Sequence, residues 1–177
     1  PESVAVVNAD DARITHARGE LTSRVVTFGE AADADVRVAS TRIVHETADP
    51  MDSGLEVDLM CGGESTHVRL VGVFGRPQAW AAAAAMAVAR ELGLNIHAAA
   101  ERLKSYHGMP GRTRIISGIK KTILLDDTYN SSPLAALSAI RDLASFPVVE
   151  EGRRIAALGD MLELGPYAES AHAEVGE

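Results

Sequence analysis

Three observations predict an α/β protein from the 177-residue sequence. Short β-rich runs occupy the chain from Ser3 to about Leu70, and an alanine-rich helical stretch follows from Pro77 to Leu92. Two apolar runs then bracket one amphipathic segment between Thr122 and Leu164, at the length of a strand-helix-strand unit.

The first runs are Val4 to Val7, Arg24 to Phe28, Val36 to Val44, Leu55 to Met60 and Thr66 to Val71, separated by Gly, Asp and Pro. Leu55, Val57 and Leu59 alternate with Glu56, Asp58 and Met60, which marks a half-buried strand, and Cys61-Gly62-Gly63-Glu64 predicts a hairpin return. Pro77 suits a first helical turn and Gly93 a helix end. Asn95 is placed to cap a second helix, whose apolar face is Ile96, Ala99, Ala100 and Leu103. The turn-rich His107-Gly108-Met109-Pro110-Gly111 is the expected domain joint, giving domains 1–111 and 112–177. Beyond it the pattern predicts a hairpin (Thr113 to Ile116 and Thr122 to Leu125), a helix from Pro133 to about Ser145, and a strand from Arg154 to Leu158.

Composition narrows the function classes. A hydrophobic content of 46% supports a buried core. The net charge is -8 and the 17 Lys and Arg are scattered, so no phosphate-backbone footprint is present and nucleic acid is not an expected partner. The single Cys61 excludes an internal disulfide and reads as a small buried hydrophobe, and no apolar run is long enough to span a bilayer. A cytoplasmic protein without membrane insertion, and a monomer, is the expectation. The chain opens at Pro1 within a strand-like run, so a longer parent protein is also expected.

The segment richest in chemistry is Thr122 to Leu164. A right-handed crossover would make its two strands parallel and bring Asp126 and Asp127 to the same sheet edge as Gly159 and Asp160. Ser131 and Ser132 precede Pro133, a cap followed by proline at the first helical position, and the positive end of such a helix favours an anion. The polar loop D-D-T-Y-N-S-S-P offers carboxylates to a ribose and Tyr129 or Asn130 to a polar group. Adjacent aspartates at a strand end also serve ordinary loop and cap hydrogen bonds, so the residues alone leave both readings open. The six His show no metal-ligand spacing.

Two long strings then occur in order: D-D-T-Y-N-S-S-P, and R-R-I-A-A-L-G-D-M-L-E-L-G with His172 and Gly176 downstream. Together they resemble the opening of the C-terminal domain in the Mur ligase family, in its dipeptide-adding branch. V-N-A-D-D at Val7 to Asp11, T-F-G at Thr27 to Gly29 and P-G-R at Pro110 to Arg112 are similar to the later part of that family's central ATP-binding domain. The resemblance thus implies the later part of a central ATP-binding domain followed by the start of a Rossmann-like C-terminal domain.

It also implies an ATP-dependent amide ligase of peptidoglycan synthesis, working through an acyl-phosphate. ATP and Mg²⁺ are then the cofactors, and UDP-N-acetylmuramoyl-tripeptide and D-alanyl-D-alanine the partners. By the same resemblance Arg112 reaches nucleotide phosphate or the acyl-phosphate, Asp127 accepts the ribose hydroxyls, and Tyr129 and Asn130 shape the cleft. Where the family shows G-x-H-N-x-x-N near the adenine, this chain has G-V-F-G-R-P-Q, so Phe74 and Gly75 replace the His-Asn pair and Gln78 keeps an amide. Ser131 and Ser132 replace the family's Ala-Asn. No G-x-x-x-x-G-K-[ST] phosphate loop occurs in these residues, so the main phosphate and Mg²⁺ contacts are expected outside them and the 177 residues alone are expected to be inactive. The alternatives are another ligase of the superfamily, of the folylpolyglutamate type, and a non-catalytic binding module.

Overall fold

The computed structural model describes residues 3–45, 52–148 and 152–177. The chain divides into two compact units. The first comprises Pro1–Arg42, Leu55–Leu70 and Pro77–Tyr106, and the second comprises Ile43–Gly54, Val71–Arg76 and His107–Glu177.

A five-stranded sheet runs in sequence order: β1 (Val4–Asn8), β2 (Arg24–Gly29), β3 (Val36–Val44), β4 (Gly54–Cys61) and β5 (Glu64–Val71). β1 pairs with β2 in parallel, and β2 with β3. The alternation in β4 has the predicted result, since Leu55, Val57 and Leu59 are buried and Asp58 is exposed. Gly62 and Gly63, at φ 59° and 92°, make the two-residue return to β5 that only left-handed backbone closes without strain. Cys61 is buried, and burial pushes its thiol up, away from the reactive thiolate.

The alanine-rich segment forms α2 (Arg76–Glu91), with Ala79, Ala82, Ala83, Met86, Ala87 and Ala89 buried. Small side chains let a helix approach its neighbours closely while keeping high helix propensity. The Arg24–Glu91 ion pair ties its last turn to β2. Asn95 caps α3 (Ile96–Leu103) by accepting the Ala98 amide at 2.9 Å. A short α1 (Ala12–Ala17), capped by Asp11, and a terminal α5 (Ala168–Gly176) were not singled out by periodicity.

In the second unit β6 (Arg114–Ser117) and β7 (Ile123–Asp126) pair antiparallel, one residue later than the pattern predicts. Phe74, Ile115 and Phe146 form the core beneath them, with Ile43, Ile123 and Leu125 packed around. The helix α4 (Pro133–Ser145) has the predicted bounds, because its start is fixed locally by the Ser132 cap and Pro133.

The predicted strand Arg154 to Leu158 does not form. Residues 152–162 are irregular, with Ile155 71% and Leu158 58% exposed. The parallel crossover expected between Thr122 and Leu164 is therefore absent, and Asp126–Asp127 and Gly159–Asp160 are not brought to one edge as paired strand ends. The cause is that a strand exists only against a partner. β7 is bonded to β6, and no strand among the described residues lies beside 153–159 to receive its backbone groups. The segment is held at its ends instead. The Arg154 guanidinium donates twice to the Phe146 carbonyl, at 3.2 and 2.9 Å, and Met161 is buried with Ala136 and Ala171.

Candidate functional site

The second unit builds its most organised polar region where the loop before β6 meets the loop after β7. Asp126, the last residue of β7, accepts the Gly111 amide on Oδ2 at 3.0 Å. Its Oδ1 accepts the Thr128 hydroxyl at 2.7 Å and the Thr128 amide at 3.3 Å. Asp127 accepts the Thr113 amide at 3.0 Å. In return the Tyr129 amide donates to the Gly111 carbonyl at 3.0 Å. Two loops more than a dozen residues apart in sequence are thus laced on both sides of Arg112.

The backbone between them is constrained. Gly111 sits at φ 72°, and a Cβ there would lie 2.9 Å from the Tyr129 amide nitrogen, so both its conformation and its neighbour require glycine. Thr113 is buried at φ 44°, an unfavourable region for a β-branched residue that costs about 1–3 kcal/mol. Its carbonyl accepts the Phe74 amide at 3.0 Å and its own amide is held by Asp127, so both of its backbone polar groups are fixed.

Between these fixed residues Arg112 is exposed, and its guanidinium carbon stands 4.3 Å above the centre of the Tyr129 ring. That distance is a cation–π contact. It leaves the edge of the guanidinium fork open to an anion, and Tyr129 itself is 70% exposed. Asp127 spends one oxygen on Thr113 and keeps the other for further hydrogen bonds. Asn130 is exposed and turns its Oδ1 to the neighbouring Ser131 amide at 2.9 Å. Ser132 accepts the Ala135 amide at 3.3 Å as the α4 cap.

Electrostatics separate the acids of this unit. Hydrogen bonding from the Thr128 hydroxyl, with the Gly111 and Thr128 amides, holds Asp126 below the usual carboxylate range against partial burial. Asp142, on α4, behaves oppositely. Burial and the neighbouring Asp127 carboxylate push it up to about 6 although Arg76 opposes them, and its Oδ2 is enclosed without a hydrogen-bond partner.

No protein-family model matches the chain. It is 32% identical over 178 residues to the UDP-N-acetylmuramoyl-tripeptide–D-alanyl-D-alanine ligase of Escherichia coli (strain K12), covering 100% of this chain and 37% of that protein. The same-named ligase of Synechocystis sp. is also 32% identical, over 99% of this chain and 34% of that protein. Among solved structures, the MurF ligase from Thermotoga maritima in complex with ADP matches with a TM-score of 0.82 at 26% identity, over 99% of this chain and 37% of that one.

The chain belongs to the Mur ligase family.

This Mur ligase chain spans little more than a third of the length of those relatives. Over a shorter stretch, 68% of this chain and 25% of the relative, it is 38% identical to the UDP-N-acetylmuramate–L-alanine ligase of Streptomyces avermitilis.

Of the residues expected in a Mur ligase site, Arg112, Asp127 and Tyr129 come together in the laced loops, and Asn130 follows them. Gln78 is buried in the first turn of α2, within the first unit. Phe74, at the family's His position, is a core residue. Other residues of the strings make internal hydrogen bonds. Asp10 of V-N-A-D-D accepts the Glu30 and Ala31 amides just past T-F-G, and a Cβ on Gly29 would lie 2.7 Å from its Oδ2. His172 accepts the Met161 amide on Nε2 at 3.0 Å and donates Nδ1–H to the Ala168 carbonyl at 2.7 Å, fastening α5 to the L-G-D-M-L-E-L-G segment. The environments of Asp126 and Asp142 were not visible in the sequence, because Gly111 beside the first and Arg76 and Asp127 beside the second lie at distant positions. No helix among the described residues is long and apolar enough to cross a membrane.

Proposed function

We propose that this chain is part of an ATP-dependent ligase that joins D-alanyl-D-alanine to UDP-N-acetylmuramoyl-tripeptide. The single observation that carries the reading is Arg112, exposed and stacked on Tyr129 between two clamped backbone amides, in a chain whose whole length matches 37% of a ligase of that name. In the reaction a substrate carboxylate attacks the γ-phosphate of ATP and releases ADP. The amine of the dipeptide then displaces phosphate from the acyl-phosphate to form the amide. A guanidinium presented edge-on spreads the phosphoryl charge over two hydrogen bonds. Asp127 accepts ribose hydroxyls on its remaining oxygen, and Tyr129 and Asn130 form the adjoining wall. Domains 1–111 and 112–177 are proposed as the end of the central domain and the start of the C-terminal one.

Among the described residues no three His, Cys, Asp or Glu side chains converge as a metal cage. Mg²⁺ would be held by the nucleotide phosphates and ligands in the rest of the ligase, which suits an ion that keeps few protein carboxylates.

The test is phosphate release by the full-length protein. Release that requires ATP, UDP-N-acetylmuramoyl-tripeptide and D-alanyl-D-alanine together is the expected result. Release with UDP-N-acetylmuramate and L-alanine instead would establish the second reading, favoured by the Streptomyces avermitilis relative. No release with either pair would overturn both. In the active ligase Asp127→Ala is expected to weaken ATP binding by about 1.5–3 kcal/mol, the value of a hydrogen bond to a charged group, as measured by calorimetry.

A further inference from the structure

We infer that Asp126 is a positioning residue that sets the direction of the Arg112 guanidinium by clamping the loop on which it stands. The inference rests on the proposed role of Arg112 and extends it to a residue with no contact to nucleotide in that reading.

The geometry is specific. Asp126 is the last residue of a strand already bonded to β6, so its carboxylate projects from a fixed frame. One oxygen takes the Gly111 amide, immediately before Arg112, and the other takes the Thr128 hydroxyl and amide, immediately before Tyr129. The cation and the ring it stacks on are therefore both tied, one residue away, to opposite oxygens of the same carboxylate. The Tyr129 amide closes the ring of contacts on the Gly111 carbonyl. Gly111 has no side chain to keep the two loops apart, and a Cβ there would meet Tyr129 at 2.9 Å. Without the carboxylate, the Gly111 amide loses its acceptor and the loop is free to rotate Arg112 off the Tyr129 face. A planar fork tolerates little misorientation, because its two hydrogen bonds form only when it is coplanar with its acceptor. Misplacement of about 1 Å at a reacting group costs on the order of 100-fold in rate.

The test is a double-mutant cycle on kcat in the full-length ligase, with KM for ATP followed alongside. Asp126→Ala is expected to lower kcat at least about 10-fold while KM for ATP stays within about 2-fold, the signature of an interaction made only in the transition state. In the Arg112→Ala background the same substitution is expected to change kcat by less than about 2-fold, since nothing remains to be aimed. Asp126→Asn, whose single amide oxygen can accept one of the two sets of bonds, is expected to restore part of the loss. If Asp126→Ala does not fold, Thr128→Val removes only the hydroxyl contact and is expected to lower kcat about 3-fold with Arg112 present and not at all without it. Equal losses in both backgrounds, or unchanged kcat with Arg112 present, would overturn the positioning role alone. Undiminished kcat in Arg112→Ala itself would instead remove the proposed role of Arg112, and the positioning role with it.

Discussion

The end of β7 and the body of α4 each place an aspartate in the second unit, with opposite consequences. Asp126, at the strand end, is surrounded by donors from two loops, and these hold it in its charged form. Asp142, on the helix, has an enclosed oxygen without a partner and a second carboxylate nearby, and its proton is held more tightly than in water. The difference lies in what the chain brings to each acid rather than in burial alone. Charge stays where hydrogen-bond donors converge and is resisted where burial and like charge outweigh a nearby cation.

The largest effect that would sharpen this contrast is loss of the clamp. Asp126→Ala leaves the Gly111 amide without its acceptor and is expected to reduce unfolding stability by about 1.5–3 kcal/mol, read from urea denaturation near neutral pH. A change under about 0.5 kcal/mol would show that the loops hold together without it.

The opposite sign is expected on α4, with a smaller effect. The Asp142 carboxyl rises from the ordinary 3.8 to about 6 in the folded protein. The folded state therefore binds the proton more tightly than the unfolded chain. As pH rises from about 4 to about 6 the contribution of this residue to stability falls, and above about 6 the full penalty stands. Asp142→Asn is expected to raise the thermal midpoint at about pH 7.5 and to lose that advantage at about pH 4. A gain of equal size at both pH values would place its origin in packing rather than ionisation.

The same contrast between local and distant partners explains what the sequence made legible. The helix from Pro133 to Ser145 was readable because its cap and first-turn proline are adjacent in the chain, and Asn95 and the Gly62-Gly63 return were readable for the same reason. Arg154 to Leu158 carries an apolar strand pattern, yet it stays irregular because a strand is decided by a neighbour and not by its own residues. The pairing of Asp126 with Gly111 and of Asp127 with Thr113 spans 15 and 14 positions, and no periodicity reports on such separations. Arg112 was singled out by the P-G-R string through family resemblance. Its stacking on Tyr129 required the fold, since two exposed residues in separate loops carry no joint pattern. Phe74 shows the converse: the resemblance alone set it at the family's histidine position, and the fold makes it part of an apolar core.

The most direct measurement is steady-state phosphate release by the full-length ligase carrying Arg112→Lys. Lysine keeps the charge but loses the planar fork and its stacking on Tyr129. The expected result is a kcat at least about 10-fold lower, with KM for ATP within about 2-fold of the parent. Unchanged kcat would contradict the account, leaving Arg112 as a surface residue and the laced loops as a purely structural joint.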